Sequence, residues 1–472
     1  MKILFTHGYF LSEDPKELQI MRPYVPLGIL YISAFLEKNG YENEVFDSTF
    51  STLDKLKEKI LNTKPDAVAI YTNLMTKLNV LKIIKFIRSE NSLINTKIIL
   101  GGPEVRNYAD NFLNYGADFI VIGEGEETTL ELINVLSSHP ELDSGSHEML
   151  NQVQHDLSSI KGIAYLDNGK VITTAERPLI KDVNTLPFPN RQKIDFTPYL
   201  DGWKTHHGYS MMSVNTMRGC PYTCKWCSRA VYGGTYRRRS PQLVAQEMKH
   251  IKQTYHPDMI WFVDDVFTIH HKWLTEFAEE VKKQDAVIPY EIISRADRLN
   301  EEVIKTLKAS GCFRVWVGAE SGSQKIIDAM DRRVDVMQTR QMINLAKQHG
   351  LEAGTFIMLG YPGETKEDIK ETIEHLVQSN PSQYTITVAY PIKGTELYNE
   401  VKNEFLDQRL EWETSTDRDI DFKRTHPKQY YQYAIQWVMN EVYLKTKNKN
   451  LLKIPYLKLK SLKYQLQMEM SK

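Results

Sequence analysis

Apolar residues in the first 140 positions alternate between two arrangements. Short unbroken runs ("KILFTH" from Lys2, "DAVAIYTN", "KIILGGP", "DFIVIGEGEE"), together with "YENEVFDS", predict strands. Between them, "PLGILYISAFLEKNG", "LDKLKEKILNT", "LNVLKIIKFIRS", "EVRNYADNFLNYG" and "TTLELINVLSS" carry apolar residues at the spacing of one helix face. Gly40 closes the first of these helices. Five strand–helix repeats, with glycines where strands end, predict a doubly wound parallel sheet over residues 1–140. Ligands of such sheets sit beyond the strand C-termini, in the loops that lead to the helices.

The pattern is lost over residues 139–160. The rest of the stretch to about residue 205 holds a predicted hairpin around Asn168 and Gly169 and the proline-punctuated "LPFPNRQKIDFTPYL", so residues 141–205 read as a linker. Alternation then restarts with "YSMMSVNTMRG", "MIWFVDD", "YEIISRAD", "RVWVGAES", "AGTFIMLGYPG" and "YTITVAYPI" as strands. Ser240 as N-cap and Pro241 at the first helical position open one of the intervening helices. Six such units over residues 206–400 predict a partial (β/α)6 barrel with its site at the strand C-terminal face. Residues 401–472 read as a helical C-terminal region.

Composition narrows the classes. Net charge is −1, so no global field draws the chain to nucleic acid or membrane, and no apolar run reaches the length of a membrane span. The start "MKILFTHGYF" has no secretory pattern, and four cysteines in 472 residues are not a disulfide framework. The chain is therefore expected in the cytoplasm, where clustered thiols read as metal ligands or catalysts.

Three of those cysteines, Cys220, Cys224 and Cys227, lie in "MRGCPYTCKWCSRAVYGG", spaced C-x3-C-x2-C after the first predicted barrel strand. Three thiolates in one loop can hold an iron–sulfur cube and leave one iron open, which is what chemistry at a cluster requires. A zinc site completed by His206 or His207, or a chance grouping of thiols, are the other readings of the spacing alone. The fourth thiol, Cys312, reads as a buried packing residue.

The C-x3-C-x-aromatic-C loop, with Trp226 before its last cysteine, resembles the radical S-adenosylmethionine (SAM) superfamily. "WFVDDVF", "SRADRL", "GAESGSQ" and "GYPGET" follow in the order that family leads one to expect, so the resemblance covers roughly residues 208–400. It implies that Cys220, Cys224 and Cys227 ligate a 4Fe–4S cluster whose open iron chelates SAM, and that cleavage of SAM gives a 5′-deoxyadenosyl radical. Trp226, Glu320 and Ser321 are then expected at the cofactors, with Ser294 and Arg295 at the methionyl carboxylate, a natural partner for guanidinium. Asp264 and Asp265, ending the second barrel strand, are catalytic candidates or loop-capping carboxylates. An external electron donor such as flavodoxin or ferredoxin is implied as well.

A doubly wound domain ahead of such a barrel resembles the cobalamin-binding domain of B12-dependent radical SAM enzymes. That implies cobalamin held by Thr72, Asn73, Gly101, Gly102, Glu104, Gly123, Glu124 and Gly125. The bland reading of these glycines is that they only end strands. No histidine has an aspartate two residues before it, so a cobalt-ligating D-x-H-x-x-G motif is missing and base-off cobalamin without a protein histidine is expected. Near "GEGEET" a third glycine is lacking and acids follow, which excludes a nicotinamide site. The expected activity is methylation of an unactivated carbon of a small molecule; the alternatives are cobalamin-assisted cyclisation or oxidation, and a non-enzymatic electron carrier, which would need a fourth protein ligand. A methylthiotransferase would carry further N-terminal cysteines, and residues 1–219 contain none.

Two basic stretches complete the reading. Residues 237–239 are three arginines, read as solvated charge or as an anion contact at the barrel mouth. Residues 442–468 hold seven lysines and no acid, interleaved with Leu and Tyr, read as a solvated helical face or as a contact to a carrier protein or an anionic membrane surface.

Overall fold

A computed structural model describes residues 1–139, 147–407, 410–448 and 450–472. The chain forms two compact units: Met1–Ser213 with Ser228–Arg238 and Glu411–Thr416, and Val214–Cys227 with Arg239–Leu410 and Asp417–Lys472.

The first unit is built on a seven-stranded sheet. Its strands are β1 (Ile3–His7), β2 (Asn43–Val45), β3 (Ala67–Tyr71), β4 (Lys97–Gly101), β5 (Phe119–Val121), β6 (Ile163–Asp167) and β7 (Lys170–Thr173), in the order β2-β1-β3-β4-β5-β6-β7. The first five are parallel. Alternate residues of β1 go to opposite layers, as the strand period requires. Ile3 and Phe5 pack with Ile29, Leu36 and Leu132 on one face, and Leu4 packs with Leu56, Val80 and Ile84 on the other. The strand order reverses between β1 and β3, and a doubly wound sheet binds its ligand in the crevice beyond such a switch point.

The hairpin at Asn168-Gly169 is present, but it does more than connect. β6 pairs antiparallel with β5 (Val121↔Ile163) and β7 with β6, so part of the expected linker closes the free edge of the first sheet. Of the stretch 139–160, residues 140–146 lie outside the described residues, and His147–Ser159 is a helix.

The second sheet has six strands: β8 (Met211–Val214), β9 (Met259–Phe262), β10 (Tyr290–Ser294), β11 (Cys312–Glu320), β12 (Glu352–Leu359) and β13 (Gln383–Val388), in sequential order, the last five wholly within the second unit. Neighbours from β9 to β13 run parallel. Trp316 and Phe356 stack, ring centroids 4.9 Å apart. Gly354 makes room for them, because a Cβ there would lie 2.4 Å from the Trp316 ring. Towards the strand N-termini, Arg314 bridges Glu291 (2.8 Å) and Glu352 (2.6 Å). The helix Lys428–Val442 belongs to this core: Tyr430, Tyr431, Trp437 and Val438 pack with Ile357, Leu359 and Ile373. Among the described residues, no helix is long and apolar enough to cross a membrane.

Candidate active site

The loop with three cysteines leaves β8, and two buried groups fix its departure. The Asp264 carboxylate, following β9, accepts the backbone N–H of Thr216 (2.7 Å) and of Met217 (3.2 Å) and the Thr216 hydroxyl. Arg239 donates to the Asn215 carbonyl (3.0 Å) and pairs with buried Glu247, and its own N–H bonds the Thr216 carbonyl (2.9 Å). The Asp264 side chain is thus committed to backbone, the loop-capping reading. Asp265, the other candidate, is reachable from solvent; its recessed position and the neighbouring Asp264 push its carboxyl up. Two of the three arginines at 237–239 are neither solvated charge nor an anion site. Arg239 is this clamp, and within the first unit Arg237 pairs with Glu124 at 2.6 Å.

Farther along the loop, Thr223 donates to Asp331 (2.7 Å) and the Lys225 N–H bonds the Met330 carbonyl (3.2 Å). Cys220 is half-buried, Cys224 buried and Cys227 exposed, and none is in a disulfide. Burial pushes the Cys220 thiol up. Two guanidinium groups converge on Cys224: Arg295 Nη1 and Arg332 Nη1 each lie 3.8 Å from its Sγ. Arg295 also binds Asp297 through Nε (2.9 Å) and the Arg332 carbonyl through Nη2 (2.8 Å), and stacks over the Tyr222 ring at 3.8 Å. Its nitrogens are therefore largely occupied, which leaves little for the expected methionyl carboxylate.

Arg332 was not distinguishable in the sequence, where "DRRVD" looks like surface charge. Asp331 (φ 49°) and Arg333 (φ 56°) both adopt left-handed backbone, and Arg332 between them turns inward. It donates to the Gly318 carbonyl (2.6 Å), lies 3.6 Å from Glu320 and sits 5.7 Å from the Trp226 ring centroid. Gly318 leaves the space that the Arg332 guanidinium occupies: a Cβ there would fall 2.3 Å from it and would displace it.

Glu320 ends β11 at a bulge, with φ 65°, a conformation uncommon for a residue with a side chain. Burial pushes its carboxyl up, against the pull of Arg332 and Arg295. The two serine candidates are engaged locally. Ser294 Oγ is 2.5 Å from Thr268 Oγ1, and Ser321 Oγ accepts from the Ser323 N–H (3.1 Å) and lies 3.3 Å from Thr372 Oγ1. The second unit thus brings Cys224, Arg295, Arg332, Glu320 and Trp226 together, with Ser294 and Ser321 serving the frame.

Among the described residues no three His, Cys, Asp or Glu side chains are gathered closely enough to bind a single ion. A cube holds its three thiolates on three different irons, hence farther apart than ligands of one ion. Three thiols outside any disulfide, in one anchored loop with N–H donors aimed at a sulfur, suit that donor set. Cys312 is no part of it. It begins β11, whose nine residues place it about 26 Å from the Glu320 end at the usual strand rise, and burial raises its thiol far above the ordinary range.

In the first unit the expected cofactor residues divide sharply. Gly102 (φ 111°) is required by the fold: a Cβ would lie 2.4 Å from the Thr72 carbonyl oxygen. Gly125 lets the helix Gly125–Ser138 approach Ile32, 2.6 Å from where a Cβ would be. Glu124 is spent on Arg237 and on the Ile180 N–H (2.8 Å). Asn73 Oδ1 accepts the N–H groups of Met75 (2.9 Å) and Thr76 (3.0 Å). Thr72 and Glu104 are buried, with the Glu104 N–H on the Thr72 carbonyl (3.4 Å). Only Gly101 and Gly123 of the four glycines leave unhindered space, and Gly123 has nothing within 4 Å of a built Cβ. His7, ending β1 at the switch point, has both ring nitrogens engaged: Nδ1 by the Tyr9 N–H (3.2 Å) and Nε2 by Asp47 (2.9 Å).

Residues 214–376 match the model of the radical SAM superfamily, and residues 20–133 match the model of the B12 binding domain. An uncharacterized methyltransferase of Pyrococcus horikoshii is 29% identical over 85% of this chain and 83% of its own length. The anaerobic magnesium-protoporphyrin IX monomethyl ester cyclase of Rubrivivax gelatinosus is 26% identical over 85% of this chain and 70% of its own. In fold, the chain is similar to TsrM, a radical SAM methyltransferase from Kitasatospora setae solved with cobalamin and a 4Fe–4S cluster. The TM-score is 0.68 at 16% identity, over 85% of this chain and 78% of that one. A parallel half-barrel behind a doubly wound sheet is the architecture of a radical SAM protein with a corrinoid domain. The chain belongs to the radical SAM enzymes that carry a B12-binding domain, and its cofactors are a 4Fe–4S cluster, SAM and cobalamin.

Proposed function

We propose that this enzyme methylates an unactivated carbon of a small-molecule or natural-product intermediate, and that Cys220, Cys224 and Cys227 hold its cluster. The observation that carries the reading is the convergence of Arg295 and Arg332 on Cys224 Sγ, each at 3.8 Å, inside a loop that Asp264 and Arg239 hold in place. Bound together, the cofactors supply a carbon-centred radical and a transferable methyl group. The chain's own part is to position and shield. Arg332 orients Cys224 and Glu320 towards one another. Glu320, nearly enclosed and with a raised carboxyl, serves as a hydrogen-bonding group for SAM. Asp265 faces the substrate side, and Gly101 and Gly123 give the corrin edge room in the first unit. His7 stays with Asp47, so cobalamin binds base-off without a protein histidine. Electrons come from a flavodoxin or ferredoxin in the cytoplasm.

The test needs no substrate. Anaerobically reconstituted protein loaded with reduced cobalamin is given SAM labelled in its methyl group. Label moving to cobalamin supports methyl transfer. Reductive cleavage of SAM with no label on cobalamin favours cyclisation or oxidation. Neither event would leave the carrier reading.

A further inference from the structure

The last helix, Ile454–Met470, is apolar on two opposite sides. On one, Leu457, Ser461 and Met468 are buried against the helix Lys428–Val442, where Asn440 Nδ2 donates to the Leu457 carbonyl (2.8 Å) and to Ser461 Oγ (2.7 Å). On the other, Tyr456, Leu459, Leu462, Leu466 and Met470 recur every three or four residues, and all are more than half exposed. At 100° per residue the centres of the two sets fall on opposite sides of the helix. The turn before it continues the outer stripe: Leu451 and Leu452 are 78% and 90% exposed. Lone exposed leucines are ordinary, but seven apolar residues along one line of about 25 Å are not.

Charge says what covers this face. Residues 442–468 carry seven lysines and no acid in a chain whose net charge is only −1. At the same spacing Lys458 lies on one flank of the stripe and Lys460 on the other, with Lys463 near the edge within it. A second copy meeting this face symmetrically would oppose lysine to lysine. An exposed apolar stripe that includes a tyrosine and is flanked by cations matches an interfacial helix lying in the plane of an anionic leaflet, where lysine stems snorkel to phosphates.

We propose that the outer face of Ile454–Met470, led by Leu451 and Leu452, docks on an anionic lipid surface. The test is flotation of the purified full chain with extruded vesicles of phosphatidylcholine alone or mixed with phosphatidylglycerol. The expected result is co-flotation with the mixed vesicles, reversed by high salt. Partitioning should fall by about tenfold or more in L459S/L462S/L466S and, separately, in K458E/K463E. Far-UV circular dichroism and the thermal midpoint check that these outer-face variants remain folded. No flotation, flotation that neither variant weakens, or a wild-type dimer that L459S/L462S/L466S converts to monomer would each overturn the proposal. So would capture by an acidic carrier protein with no vesicle binding.

Discussion

Replacing Asp264 by alanine should detach the cysteine loop from the sheet without touching a cysteine. The carboxylate accepts three buried donors: the Thr216 and Met217 N–H groups and the Thr216 hydroxyl. Alanine leaves two buried backbone N–H groups without this acceptor. At about 1–3 kcal/mol for each such group, the cost comes to about 3–5 kcal/mol after relief of the buried charge. With a urea slope of about 3 kcal/mol per molar, the transition reported by the barrel tryptophans should move down by roughly 1–2 M. Iron retained after reconstitution should fall with it, because Cys220 and Cys224 lose their fixed approach. Asp264→Asn keeps an acceptor for both N–H groups, and the Thr216 hydroxyl can rotate to accept, so this variant should retain most of the stability and the iron. An alanine variant with wild-type urea midpoint and iron content would show that the loop does not depend on this carboxylate, and the clamp role is refuted. It is refuted equally if asparagine keeps both and yet abolishes SAM cleavage, since the carboxylate would then act by its charge.

Three further outcomes follow from particular residues. Burial lifts the Glu364 carboxyl to about 8, so it folds neutral while the unfolded chain ionises it near 4.5. The stability it supports is complete below pH 4.5 and declines as pH rises towards 8; at pH 7 the loss is about 3 kcal/mol, and in apo protein Glu364→Gln should flatten that decline. Cys312→Ala should keep full iron content while Ala at any of Cys220, Cys224 or Cys227 loses it, as measured by iron and sulfide analysis; equal loss from Cys312 would defeat the three-thiolate assignment. Arg332→Met removes an N–H donor aimed at a cluster thiolate, so the reduction potential should drop in an EPR-monitored titration, and an unchanged potential would show that the contact does not reach the cluster.

How much of this was legible depended on whether a residue's fate is set locally. Strand runs, helix periodicity and the cysteine spacing are local signals, and the strand positions of both sheets follow them. The hairpin at Asn168-Gly169 was legible as a hairpin; its pairing with β5 was not, because nothing in an antiparallel edge strand names its neighbour. Adjacent identical residues defeat composition altogether. Arg332 and Arg333 differ tenfold in side-chain exposure, 7% against 71%, because left-handed residues on either side of Arg332 turn it inward. Asp264 and Asp265 divide in the same way, one clamping backbone and one facing solvent. The glycines of the first unit were read together, but Gly102 and Gly125 answer to the Thr72 carbonyl and to Ile32, contacts that only the folded chain supplies. In the tail, lysines were visible and the second apolar side of the helix was not, since two opposed apolar stripes cancel in any single-face reading.

The central claim is a cluster held by three thiolates with one iron left for SAM. It is tested most directly by the EPR spectrum of the reduced, reconstituted protein before and after SAM is added. One 4Fe–4S signal per chain is expected, with g-values that shift on SAM addition and with added hyperfine coupling when the SAM amino or carboxylate group is isotopically labelled. A cluster signal that SAM leaves unchanged, with no coupling to the labelled nuclei, would contradict the claim.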